Sequence, residues 1–431
     1  MARSLVEVET IMDEEFDDFD DIFGEEADED DITLAQEALD RGDNTTALEL
    51  AEEYLEDHPF DFDALNLCAV AAANLNDTGK ALVIYQRALR LDPKNGALHH
   101  NYGVLLQRLG SNHEAIKHFR RSIELQPDFP EAYINLGNSL DEEGKVEEAL
   151  RCYDEALRRL PDASDAYYNR GFALNRLGRF AEAIESFDKA LLINPQDAAS
   201  HNGRGFALAG LERETEALEA YNRAISRDAT VANFFFNRAH TLQRQGQREE
   251  ALRDLDAALK LDATFFDALI ERGMLLLELG RFEQARKSLD AAHRADPDHP
   301  EPFFYRSVIL ERKGDIPGAL AAIEESLKRD PASDYALNNK GNLLLDLSRV
   351  DDALLCFETI IARNDQYALA HYNRACVYAL RNDHEEAARS LARAIALDPR
   401  FIEEARKDPD FDALRAEPSL AALLLVPESD S

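Results

Sequence analysis

Six asparagines recur at 34 residues or multiples of 34: Asn101, Asn135, Asn169, Asn237, Asn339 and Asn373. A primary amide both donates and accepts, so such a row can pair with the C=O and N–H groups of an extended chain without reading its sequence. Each bond contributes only about 1 kcal/mol net, so several must act together. The same amides can equally bridge neighbouring elements of the protein itself. Aromatic residues share the periodicity, one place before the asparagine or three after it: Tyr168, Phe172, Phe206, Phe236 and Phe304. Exposed, they would anchor apolar side chains of a partner; buried, they would pack between neighbours. Gly203, Glu271 and Tyr305 interrupt the asparagine row.

Other chemistries find no pattern. There is no HExxH, Walker loop or GxSxG, and the GRG at 203–205 follows no strand. Cys68, Cys152, Cys356 and Cys376 lie far apart with no CxxC, which argues against a disulfide framework and a zinc site. His99, His201 and His371 fall at a core position of the repeat, where packing outweighs ligation. The expectation is a protein that is not an enzyme and holds neither cofactor nor metal.

The elements that must position the asparagines follow from the period. Pro59, Pro93, Pro127, Pro161, Pro195, Pro297, Pro331 and Pro399 lie on one 34-residue grid, and Ala229, Ala263 and Asp365 keep its spacing. Units then start at 28, 62, 96, 130, 164, 198, 232, 266, 300, 334 and 368, eleven in all without insertion. In 164–197, SDAYYNRGFALNRLGRFAEAIESFDKALLINPQD, two apolar-periodic stretches flank Gly178, and Pro195 closes the unit. Glycine supplies a left-handed turn between two helices, and proline ends the second helix. Gly stands at this turn at 42, 110, 144, 178, 246, 280 and 314, and Asn at 76 and 382. The twentieth position is Ala in every unit and the eighth is Gly, Ala or Ser, as close helix packing requires. No unit buries its apolar stripe alone, so neighbours must stack.

On these residues the chain resembles the tetratricopeptide repeat family over 28–401. The resemblance implies an all-α, right-handed superhelical solenoid of antiparallel helix pairs, whose first helices line a concave groove. Positions 2, 5, 6, 9 and 13 of each first helix share one face, and the family places that face in the groove. The asparagine row at position 6 is similar to the asparagine ladder in the repeats of O-linked N-acetylglucosamine transferases. The family's carboxylate clamp for chaperone C-termini needs Lys at position 5, and no unit has one. Position 7, usually Leu in the family, is Arg170, Arg204, Arg238, Arg272, Arg306, Lys340 and Arg374. These cations either pair with acids on neighbouring helices or form a basic edge to the groove. The stretch 401–425 resembles a terminal capping segment.

The formal net charge is −37, and residues 1–31 hold 15 acids against one Arg. So acidic a surface opposes phosphate backbones and anionic membranes, which excludes nucleic acid and membrane as expected partners. No stretch approaches the roughly 18 apolar residues of a membrane span, and no signal-type apolar run opens the chain. A cytoplasmic protein is expected. Within the acidic N-terminal arm, Met12, Phe16, Phe19 and Phe23 keep 4, 3, 4 spacing, one face of a helix. The spacing predicts an arm that is disordered alone and folds on contact, either on another protein or by residues 10–23 docking into its own groove. A purely solubilising tail accounts for the aspartates and leaves the phenylalanines unexplained.

The expected layout is an arm at 1–27, repeats at 28–401, a capping segment at 402–425 and a tail at 426–431. The function it predicts is a protein–protein interaction scaffold or adaptor that binds an extended or helical segment of another protein in its groove, with the arm regulating access. The alternative is a chaperone-like holdase for unassembled or secreted clients.

Overall fold

Every 34-residue period yields one helix of about 13 residues and one of 14, for example Gly96–Arg108 followed by Asn112–Leu125 and Pro130–Glu142 followed by Val146–Arg159. The computed structural model describes residues 29–412, so the residues of the arm motif, Met12, Phe16, Phe19 and Phe23, lie outside the described residues. First and second helices alternate from Glu29–Asp40 through His384–Leu397, and no strand occurs among the described residues. The all-α expectation holds.

Glycines at 42, 110, 144, 178, 246, 280 and 314 make the turn between paired helices with φ between 70° and 79°. At 110 the chain closes the helix with Gly110 N–H donating to Gln107 C=O (2.9 Å) and Ser111 N–H to Leu106 C=O (2.9 Å). Asn76 and Asn382 take the same conformation, as their residue type allows. Glu212 and Ser348 take it too, at φ 59° and 57°, without any help from residue type. The period enforces that turn where the local sequence does not.

Packing explains the small positions. The twentieth-position alanines, from Ala47 to Ala387, are all fully buried. At the eighth position the absent side chain makes room for a large one from the second helix of the same unit. A Cβ on Gly137 would lie 2.5 Å from the Tyr153 ring, one on Gly103 2.7 Å from Phe119, and one on Gly205 2.7 Å from Tyr221. Those rings are buried, and the residue sixteen after each small position is thereby locked across the helix pair.

The chain divides into two compact units, residues up to Ala173 and residues from Leu174 onward. In the first, Ala35, Ala38, Ala47, Leu67 and Cys68 centre one apolar cluster. In the second, consecutive clusters centre on Leu255, Leu276 and Leu289, then on Ile323, Leu344 and Phe357. At the far end of the described chain, the helix Phe401–Lys407 and the turn Pro409–Phe411 bury Phe401 and Phe411 against Tyr372, Ala375 and Leu391. The Tyr372 hydroxyl donates to Asp408 (2.7 Å). No helix among the described residues is long and apolar enough to cross a membrane.

Candidate protein-interaction site

Position 6 of a first helix points back at the first helix of the preceding repeat. Asn101 Nδ2 donates to Asn66 Oδ1 (2.9 Å), Asn169 to Asn138 (2.9 Å) and Asn237 to Asn202 (3.0 Å). Asn373 reaches both Asn338 (2.8 Å) and Asn342 (3.1 Å). The acceptors stand at positions 5 and 9. Asn135 finds a histidine instead, 2.9 Å from His100 Nε2. Accepting there leaves the proton on His100 Nδ1, which donates to Asn101 Oδ1 (3.1 Å). Asn135, His100, Asn101 and Asn66 thus form one relay. Asn339 makes no side-chain hydrogen bond among the described residues, because Phe304 and Val308 occupy the two places where its acceptor would stand.

The five bridged amides therefore already hold neighbouring repeats together, and each retains at most one N–H and its oxygen for a bound chain. The interruption at 203 has a steric cause: a Cβ on Gly203 would run into the Phe187 ring. The carbonyl of Gly203 accepts instead from buried Asn175 Nδ2 (2.9 Å).

Position 7, one residue on, faces the other way. Arg170 donates to Asp154 (2.8 Å), Arg204 to Asp188 (2.7 Å) and Arg272 to Asp256 (2.6 Å), in each case a carboxylate sixteen residues earlier on the preceding second helix. Lys340 pairs with Glu324 at 2.9 Å. Arg272 and Arg374 also reach Ser288 and Ser390 on their own second helices, at 2.6 and 3.0 Å. Arg238 holds Asn222 (2.6 Å) and grips Asp254, only 6% exposed, through two bonds of 2.6 and 2.7 Å. Arg306 makes no ion pair among the described residues, and Asp290, sixteen residues earlier, pairs with Arg286 (2.7 Å). Of the two readings of this row, ion pairing between helices is the one the geometry displays.

The aromatic residues separate by exposure. Phe172 and Phe206 are each 46% exposed at position 9. Tyr168 stacks beside Phe172 with centroids 6.4 Å apart, and Phe180 meets Phe206 edge-on at 6.3 Å. Phe236 is half-buried against Phe265 at 4.9 Å. Phe304 is buried, between Tyr305 (5.2 Å) and Tyr335 (5.0 Å), so it supports the surface rather than forming it. In the first compact unit, Gln107, Arg108, Asn138, Asp141, Tyr168 and Phe172 line an open cleft of about 510 Å³ along successive first helices.

Position-4 histidines have a structural partner that spacing did not reveal. His99 Nε2 donates to the Pro93 carbonyl (3.2 Å), His201 to Pro195 (3.3 Å) and His371 to Asp365 (3.1 Å), always the grid residue six places earlier. His99 Nδ1 then accepts from His118 Nδ1 at 2.9 Å. Burial lowers the pKa of His99, His100, His201 and His371, and burial followed by His99 pushes His118 down to about 4. Among the described residues, Cys376, Asp408 and Asp410 form a cluster of potential metal ligands. Burial, then the two carboxylates, drives the thiol pKa strongly upward, so the sulfur stays protonated and donates to Asp408 (3.7 Å). Asp408 also accepts the Asp410 N–H at 3.0 Å, so the trio fastens the last turn to the helix pair beneath it.

Paired helices of near-constant length, a small residue packed under a ring in most pairs and amide bridges between pairs define an α-helical repeat protein. The tetratricopeptide repeat family model matches residues 32–96, 134–198, 177–232, 236–300, 270–334 and 338–400, and a second tetratricopeptide repeat model matches 95–162. The chain belongs to the tetratricopeptide repeat family. No curated protein matches it. Similar solved structures include YrrB, described as a tetratricopeptide repeat protein with an unusual peptide-binding site, at 23% identity over 44% of this chain and 97% of that one, TM-score 0.38. Yeast Tom70 matches at 16% identity over 91% and 98%, TM-score 0.46. A tetratricopeptide repeat protein from Parabacteroides merdae matches at 20% identity over 62% and 98%, TM-score 0.48.

Proposed function

We propose that this chain is a non-catalytic cytoplasmic scaffold that binds an extended or helical segment of another protein along its first helices. The observation that carries this reading is the pair Phe172 and Phe206, large aromatic rings left about half exposed at the same place of successive repeats. A ring on a helix face that its own fold does not cover is where a partner's apolar side chain gains most. Because the bridged asparagines are largely engaged between repeats, the aromatic side chains dominate affinity and the remaining amide groups orient the bound backbone. The acidic arm acts at this face from outside, either competing for it or recruiting a second protein.

The test is a photo-crosslinking residue placed at 206 and, as control, at Glu219, which is exposed on a second helix. In native lysate, position 206 captures a defined partner that position 219 does not. Equal capture from both overturns the reading. The same experiment with a chain beginning at residue 28 assigns the arm: a gained partner means competition, a lost one means recruitment. One or two stoichiometric partners mark an adaptor, and many weak ones the holdase alternative.

A further inference from the structure

The first-helix face changes character in the second compact unit, where Glu271 and Tyr305 replace the asparagine of position 6. Buried Phe304 holds Tyr305 edge-on at 5.2 Å and Tyr335 at 5.0 Å, and Tyr335 is left 60% exposed. Carboxylates stand near Tyr305. Glu271 and Glu301 both act on the Tyr305 hydroxyl, which burial first and then these charges push up to about 12. Two turns further along, exposed Glu311 and Asp346 repel each other across adjacent first helices.

The nearby cations are mostly engaged elsewhere, and Arg312 offsets Glu311 only in part. Arg272 and Lys340 are engaged by Asp256 and Glu324 on second helices. Arg312 directs its guanidinium to the Leu277 carbonyl at 3.4 Å. Glu271 accepts from Gln243 (3.3 Å) and Glu301 lies 3.9 Å from His299. The result is an exposed Tyr335 and a half-buried Tyr305 beside carboxylates, none of which forms an ion pair with Lys or Arg among the described residues. That combination suits a guanidinium or ammonium group, which gains from a ring face and from a carboxylate at once.

We propose that the face formed by Glu271, Glu301, Tyr305, Tyr335, Glu311 and Asp346 binds a basic segment of a partner protein and takes up its Lys or Arg side chains. This rests on the scaffold reading above and adds the charge of the bound segment. Charge complementarity selects this occupant, and the chain's own acidic arm is repelled from the same place. The remaining face differs: the cleft beside Tyr168 and Phe172 carries Arg108 as well as Asp141.

The test uses the full chain and a fluorescein-labelled peptide in which Lys and Arg alternate with Ala, read by anisotropy at moderate salt. Its counterpart has Glu in place of every Lys and Arg. The basic peptide binds and the acidic one does not. The double variant Glu271→Gln, Glu311→Gln weakens binding about tenfold. The double variant Glu185→Gln, Glu219→Gln, which removes the same charge from exposed second-helix positions, changes it less than about twofold. Tyr335→Ala weakens binding about threefold, and circular dichroism shows that each variant is folded. Equal weakening by the two double variants means general attraction to an acidic protein and overturns the proposal, as does binding of the acidic peptide. If position 206 captures a partner while the basic peptide shows no such dependence, the scaffold reading stands and this one falls.

Discussion

Positions 6, 7 and 8 of each first helix are consecutive, yet they serve three different interfaces. Position 6 reaches a side chain 31 or 35 residues back on the preceding first helix, as in Asn169 to Asn138 and Asn101 to Asn66. Position 7 reaches sixteen residues back to the preceding second helix, as in Arg204 to Asp188, or sixteen ahead on its own, as in Arg238 to Asp254. Position 8 leaves a hollow that a ring sixteen residues ahead fills, as Tyr153 does at Gly137. Each step of one residue turns the helix by about 100°, so neighbours in sequence belong to different seams. The lesson is that the row nearest the proposed binding face is the one the protein can most readily alter, because only one seam depends on it. Glu271 and Tyr305 are such alterations, and the small residue two places on, Gly273 or Ser307, is kept.

The sharpest test of this division lies at position 7. Arg238→Met leaves the Asp254 carboxylate, 6% exposed, without its two charged donors and is expected to destabilise by about 3 kcal/mol. Arg204→Met frees a carboxylate that is half exposed and costs under about 1 kcal/mol. Urea unfolding compares the two, and similar losses would merge the buried and exposed members of the row. At position 8, Gly137→Ala forces a methyl against the rigid Tyr153 ring and costs about 2 kcal/mol. Gly273→Ala meets only the movable end of Leu289, at 2.9 Å, and costs less by the same assay.

Position 6 gives a smaller contrast. Asn169→Ala loses a bridge and about 1 kcal/mol, whereas Asn339→Ala, with no bridge to lose, leaves the unfolding midpoint within error. The smallest effect is on pH dependence. The folded pKa values of His99, His100 and His118 lie below that of an unfolded histidine, so the unfolded chain takes up protons first as pH falls below about 6.5. The stability these groups support is complete above that pH and declines toward the folded pKa, near 4 for His118. Melting temperature therefore falls between about pH 7 and pH 5, and less steeply in His118→Gln. An unchanged slope in that variant would remove His118 from the acid response.

Much of this was legible in the sequence, because a 34-residue period fixes helix pairs, turns and small positions together. The alanines at position 20 and the glycines at position 8 could be assigned from spacing alone. The destinations of the polar side chains could not. Whether Asn135 faces a bound chain or His100 depends on how far one repeat is offset from the next, and periodicity carries no such offset. The left-handed turns at Glu212 and Ser348 were hidden for the opposite reason: neither residue type favours the conformation, and tertiary packing imposes it. The difference between exposed Phe172 and buried Phe304, at positions 9 and 5, rests on Tyr305 and Tyr335 covering the latter.

The bridges between repeats join residues only 16 to 35 apart. Contacts this local make ordering a chain of 431 residues no slower than ordering one pair and adding to it, since no long loop has to close first. Growth can begin at any well-packed pair and proceed outward in either direction. A chain emerging from the ribosome could therefore lock each repeat as its successor appears, long before the last residue is made.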